Sequence, residues 1–293
     1  MKKTFRFILA AFAVVTAASC AQEIEDPNAL PQEEVELVPM TITVGGEMTK
    51  TTVGENNAIN WCADDEIAVF DKTGTARKFT IVEGTLDGNT ATFEGEVAAG
   101  STDFTAVYPF SSAVSVSEGV VTVDTPAAQE LDGATIADGA TVSVAQFTKD
   151  NTVFTFKTAI GYLRVDVKED DVTSIIVKGT NIAGQASFNA AGELQSVTEG
   201  KNQVTLTPAG EVFTNGTSYY VTVLPGKYAA EDFSITLVRE TELAAELAAT
   251  KEVTILRNQG FFLDSGKLSY KFVIKDAETL QKFLDNAAVY TAK

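Results

Sequence analysis

The side chains of this sequence that could carry chemistry are carboxylates and little else. Its 293 residues include 40 Asp and Glu but no histidine, which excludes Ser-His-Asp and Cys-His catalysis and the common zinc sites. Acids cluster at Asp64-Asp65-Glu66 and Glu169-Asp170-Asp171. A glycosidase needs only two carboxylates about 5–10 Å apart. Among so many acids such clusters arise by chance, and both read as solvated turns. No glycine-rich phosphate loop opens a helix, and no Asp-x-Asp-x-Asp-Gly calcium loop occurs. The expectation is a protein that is not an enzyme, with no catalytic residue, no metal site and no cofactor.

The other reactive groups are two cysteines. Cys20 ends a segment with a basic start (Lys2, Lys3, Arg6), an apolar run from Phe7 to Val15, and the small residues Thr16-Ala17-Ala18-Ser19. This is a secretory signal, too short to span a bilayer. Its end, Ala18-Ser19-Cys20, resembles a bacterial lipobox, which implies that residues 1–19 are removed and that Cys20 becomes an acylated N-terminus. Each buried methylene contributes about 0.8 kcal/mol, and stable anchoring needs more than one chain; lipoproteins of this kind carry three. The outer membrane, held through that anchor, is the expected location, with the protein exposed at the cell surface. Cys62 then has no partner for a disulfide. Beside Trp61 in an apolar stretch, it reads as a buried, inert thiol.

Loss of residues 1–19 leaves 19 basic and 40 acidic side chains, a formal charge of −21. Such a field disfavours nucleic acid and anionic lipid headgroups as partners.

The elements that must position these groups read as strands. Residues 20–37 are acidic, contain proline and show no period, so they form a tether. Glu23, Glu25 and Asp26 also resemble the surface-export signal of lipoproteins in gut and oral anaerobes. From there the period is two: Val38, Met40, Ile42 and Val44 mark a first half-buried strand. Similar runs follow, among them Ile67/Val69, Phe104/Ala106/Tyr108, Leu163/Val165/Val167 and Phe233/Ile235/Leu237, separated by turns such as Asp87-Gly88 and Asn215-Gly216. Short strands rich in Val, Thr and Phe at this spacing predict an all-β protein of sandwiches. A polar break at Lys149-Asp150-Asn151 suggests two sandwiches, 38–149 and 150–265, followed by a strand and helix over 266–293. Asp276 suits the N-cap of that helix, with Leu280, Phe283, Leu284 and Ala287 on its apolar face. Glu240–Ala249 holds strong helix formers between two strand-like runs and is either a helix or one side of a hairpin.

Thr49-Lys-Thr-Thr52, Ile59-Asn-Trp61, Asp65-Glu-Ile-Ala-Val-Phe70, Ala91-Thr-Phe-Glu-Gly95 and Ala106-Val-Tyr-Pro109 occur in an order that resembles the fimbrillin-like family of surface lipoproteins. The likeness continues through Tyr219–Gly226, Phe233–Leu237 and Leu256-Arg-Asn258 and covers roughly residues 40–265. It implies two tandem transthyretin-like sandwiches and a structural or adhesive role in a fimbrium, as pilus shaft, tip or anchor. The implied partners are other fimbrial subunits and a host or bacterial surface ligand. In that family a protease removes the first strand after an arginine, and a strand of the next subunit takes its place by β-augmentation. Here no arginine lies between Cys20 and Ala76, and Lys50 is the only basic residue where processing would fall. Val38, Met40, Ile42 and Val44 would be the strand removed, and Tyr270–Ile274 the best replacement within the chain. That segment, running into the Asp276 helix, resembles the start of a further module truncated at Lys293.

The rival reading is a glycan-binding lipoprotein of a nutrient-uptake system. Its aromatic platform would be Trp61, read chiefly as core, or the outward ring of Tyr219-Tyr220.

Overall fold

Period-two hydrophobicity becomes β-structure from Leu37 onward in the computed structural model, which describes residues 35–45, 61–133, 136–240, 243–264, 269–272, 276–281 and 284. The first strands are β1 (Leu37–Gly45), β2 (Glu66–Phe70), β3 (Ala76–Ile81), β4 (Thr90–Ala98) and β5 (Asp103–Tyr108). After a 3-10 turn come β6 (Ala113–Ser117), β7 (Val120–Thr125), β8 (Ala128–Glu130), β9 (Ser143–Thr148), β10 (Val153–Thr155) and β11 (Lys157–Thr158). Next are β12 (Gly161–Asp166), β13 (Val172–Phe188), β14 (Leu194–Thr207), β15 (Ser218–Val223) and β16 (Gly226–Tyr228). The last are β17 (Ser234–Arg239), β18 (Leu243–Ala248), β19 (Val253–Ile255), β20 (Gly260–Asp264) and β21 (Ser269–Phe272).

These strands form three main sheets. The first runs β10-β1-β4-β3-β2-β5-β9-β11. The second runs β21-β18-β17-β13-β14-β8, with β7 and then β6 joined to the far half of β13. The third is β15-β12-β20, and β16 and β19 pair separately. The first sheet encloses a core of Ile42, Val44, Val69, Phe79, Phe93 and Phe156. The second and third sheets face each other over Ile175, Val177, Val204 and Ile235 on one side and Leu163, Val165 and Val221 on the other. Between these lies a third core, to which all three sheets contribute: Phe70 and Val144, Val121 and Phe188, Tyr162 and Tyr220.

Residues 36–293 constitute one compact unit, and its sheets do not divide at residue 150. β10 and β11 follow that position yet belong to the first sheet, while β7 and β8 precede it and pair with β13 and β14. The long strand β13 makes this exchange. Its first half, Val172–Lys178, lies against β17, and its second half, Gly184–Phe188, against β7. An irregularity between Lys178 and Ala183 separates the halves. Gly184 there has φ +106°, and a Cβ on it would collide with the Glu199 carbonyl oxygen. Only glycine serves at that position.

Of the two fates open to Glu240–Ala249, the hairpin is the one adopted. Leu243–Ala248 is β18, paired antiparallel with β17 from Ser234↔Ala248 to Leu237↔Ala245. Ala245 is buried there and Leu247 packs on the second-sheet core, so tertiary burial overrides helix propensity. At the C-terminal end residues 277–281 are helical. The Asp276 carboxylate accepts the Thr279 N–H at 2.8 Å, as an N-cap does. Leu280 and Leu284 are exposed; Phe283 and Ala287 lie outside the described residues.

One buried charge ties the loops of the first sheet. The Asp71 side chain is fully buried and accepts the Ala98 N–H at 2.7 Å, the Thr73 N–H and hydroxyl, and Arg77 Nε at 3.2 Å. Burial disfavours its ionised form, but these four donors outweigh burial and hold its pKa below the ordinary value. A depressed pKa adds stability that is present above the unfolded value of about 3.9 and is lost as pH falls through the folded value. Asp71→Ala is expected to cost about 3 kcal/mol at pH 7, since it strands buried donors. In urea denaturation the gap between wild type and variant should narrow steadily below about pH 4; a gap independent of pH would contradict this.

Candidate functional site

β1 is the candidate site. Nine residue pairs, from Leu37↔Ala98 to Gly45↔Thr90, join it to β4. On its other side parallel β10 pairs only with Thr43–Gly45, so the outer edge of Leu37–Ile42 has no strand partner among the described residues. Val38, Met40, Ile42 and Val44 all turn toward the first-sheet core. Ile42 and Val44 are buried, while Val38 and Met40 are half-buried against it. The strand therefore holds by one full ladder and a row of alternate side chains. Cys20 and Lys50 lie outside the described residues, as does the connection 46–60 that leads from β1 to Trp61.

Trp61 roofs the same core. Its ring sits edge-on to Phe93 at 5.2 Å and to Tyr108 at 5.0 Å, and tilts against Phe156 at 5.8 Å. Such edge-to-face pairs contribute about 0.5–1.5 kcal/mol beyond area burial. The acid after it is part of the same fixture. Asp65 accepts the Cys62 N–H at 2.7 Å and the Tyr108 hydroxyl at 2.9 Å. Burial raises the Asp65 pKa, a rise that these two donors partly offset. Burial and the Asp65 carboxylate together hold the Tyr108 phenol far above its usual range. Asp65 thus fastens the turn carrying Trp61 to the end of β5.

The other singled-out groups are also structural. Asp171 is ion-paired with Arg239 at 2.6 Å and Asp170 accepts from Asn215 Nδ2 at 3.0 Å. Glu66 pairs with Lys78 at 2.8 Å. Among the described residues no group of three or more Cys, Asp or Glu is placed to hold a metal ion. Tyr219 and Tyr220 do point to opposite faces, but both rings are buried, because Tyr219 lies in the core between the second and third sheets and Tyr220 in the shared one. Neither offers a platform. Cys62 departs from expectation in the other direction: it is exposed, because the turn after Trp61 leads out of the core. Asp71, the most thoroughly bonded acid, was not singled out from the sequence. Its Asp-Lys-Thr-Gly turn was the available signal.

The molecule is a layered β-protein with a weakly flanked first strand, in which Asp65, Asp71, Asp170 and Asp171 are engaged in structural bonds. The model of the fimbrillin-like family matches residues 49–283, and the chain belongs to that family, as its motifs implied. The family is one of fimbrial structural proteins and not an enzyme class. No curated protein matches the sequence. Among solved structures, a candidate cell adhesion protein of Bacteroides ovatus is 14% identical, with TM-score 0.46, covering 82% of this chain and 100% of its own. The tip fimbrial protein of Porphyromonas gingivalis, solved with a C-terminal truncation, is 12% identical, with TM-score 0.39 and coverage of 82% and 100%. The fimbrial anchor protein of the same organism is 12% identical, with TM-score 0.32 and coverage of 78% and 91%.

The exposed thiol gives a test of this geometry. Although Cys62 is exposed, partial desolvation of the thiol and then the carboxylates of Asp65, Asp138, Asp64 and Asp132 raise its pKa. In a Cys20→Ser chain, maleimide should label Cys62 without denaturant, slowly at pH 7 and faster as pH passes the ordinary thiol value of about 8.5. Asp65→Asn should speed labelling at neutral pH. A thiol that reacts only after unfolding would contradict the exposed placement.

Proposed function

We propose that this protein is a cell-surface fimbrial subunit, lipidated at Cys20 and capable of strand exchange at β1. The observation that carries the reading is β1 itself, which places four alternate apolar side chains on a core while, among the described residues, keeping strand neighbours along one edge and only the tip of the other. Membership of the fimbrillin-like family supports the fimbrial role. Each fully buried large side chain contributes about 1.5–3 kcal/mol, so the strand contributes several kcal/mol while it stays attached. Once the connection after it is cut, the same strand becomes a dissociable ligand. Its departure leaves an apolar groove and the unpaired backbone of β4, which a strand of another subunit with the same alternation can fill. Tyr270–Ile274 is the proposed replacement strand. Within one chain its described part, β21, pairs with β18 at the edge of the second sheet.

The uncut protein is expected to be monomeric, and cleavage at Lys50 to make it oligomerise. Limited trypsin digestion followed by size-exclusion chromatography with light scattering measures this. A cut species that loses residues 20–50 and stays monomeric removes the strand-exchange reading and favours a fixed anchor or tip.

The anchor has its own test. Cys20→Ala should abolish incorporation of a fatty-acid analogue and move the protein from the membrane fraction to the soluble one. Label that persists in the variant excludes acylation at Cys20.

A further inference from the structure

Of the aromatic side chains whose burial is described, only Phe261 and Phe262 are exposed. They are neighbours on β20, the edge of the third sheet, and alternation sends them to opposite faces. Phe261 borders the apolar groove beside Phe233, Leu247 and Val253. Phe262 is 52% exposed and lies on the other face, beside a set of polar groups.

Register places those groups in two rows. Tyr220, Arg164 and Phe262 stand abreast across β15, β12 and β20, and Ser218, Asp166 and Asp264 stand abreast in the next row. The Arg164 guanidinium lies over the Phe262 ring, 5.4 Å from its centroid. Arg164 Nε donates to Asp166 Oδ1 at 2.7 Å, and the Ser218 hydroxyl donates to the same oxygen at 2.7 Å. Among the described residues no hydrogen bond engages Arg164 Nη1 or Nη2, or Asp166 Oδ2. The result is a free donor edge beside a free acceptor, held from behind and bordered by a half-exposed aromatic ring.

We propose that this face of the third sheet, built from Arg164, Asp166, Ser218 and Phe262, is a binding site for a neutral sugar. Arg164 is already paired with Asp166, and Asp264 shares the Asp166 row, so the patch has no excess positive charge to draw an anion. The paired groups still offer a neutral ligand a donor beside an acceptor. Adjacent hydroxyls of a pyranose supply what the pair lacks: one oxygen accepts from the guanidinium and its neighbour donates to the carboxylate. The apolar C–H face of the ring then covers Phe262, as aromatic surface with a polar neighbour favours. Strands lie about 4.8 Å apart, so three abreast span about 10 Å, enough for two sugar rings. The proposal is independent of the fimbrial reading, since a subunit can assemble without binding sugar.

Native affinity electrophoresis of the mature chain in gels containing starch, mannan, xylan or galactan tests it. Retardation is expected with at least one polysaccharide, weakened about tenfold or more by Arg164→Gln, Asp166→Asn and Phe262→Ala, and restored by Phe262→Trp. Glu94→Gln, at an exposed position on β4, should leave it unchanged. Circular dichroism of each variant separates lost binding from lost folding, and Phe262→Trp keeps the test decisive if Phe262→Ala unfolds. No retardation in any gel, or retardation untouched by all three substitutions, overturns the proposal. So does a Phe262→Ala variant that changes only the oligomeric state, because the patch would then be a protein contact.

Discussion

Burial of both faces of the central strands is the constraint on which the other layers depend. In β2, Ile67 and Val69 face the core enclosed by the first sheet while Ala68 and Phe70 face the core shared by all three sheets. β12 repeats the arrangement, with Leu163 and Val165 on one side and Tyr162 on the other. A strand of this kind can expose neither face, so it requires a sheet above and a sheet below. The layers of the molecule are the answer to that requirement. Among the described residues no disulfide supports the fold: the free thiol of Cys62 lies outside every core, and stability rests on apolar contact among the sheets.

The same constraint decides where function can reside. Side chains in the stacked layers are committed to packing, which withdraws Trp61, Tyr219 and Tyr220 from ligand chemistry. Two of the acids that looked like chemistry are committed as well, Asp65 to the Trp61 turn and Asp171 to Arg239, and so is Asp71, which holds the loops around β4. What remains uncommitted lies at sheet edges, at β1 on one side of the molecule's fold and at β20 on another. An edge strand carries unpaired backbone groups and a face with one neighbour missing. Such edges are open to pairing with another molecule.

Much of this was legible in the sequence. The period-two runs gave the strands, because side chains alternate between faces and a half-buried strand must alternate with them. Val38, Met40, Ile42 and Val44 are the plainest case, and all four turn inward. The ordered motifs from Thr49 to Asn258 carried the family. Asp276 was legible as a cap because an oxygen two or three residues before a free N–H is a local device.

Other features depended on contacts that local pattern does not encode. Whether Leu243–Ala248 became helix or strand rested on β17 lying beside it, and whether Tyr220 met water rested on a third core whose walls come from residues 68 to 224. The polar break near residue 150 marks a turn, yet β13 is long enough to pair with strands from both sides of it, so the sheets exchange members there. The sequence by itself determined the strands, their inward faces and the family, since these rest on the order and spacing of neighbouring residues. The tertiary structure alone decided which strands are covered twice, which acids are spent in holding turns, and that Arg164, Asp166 and Phe262, up to 98 residues apart in the chain, share one exposed face. Sheet pairing brings distant residues together through backbone hydrogen bonds, which are the same for every side chain and so leave little trace in residue type.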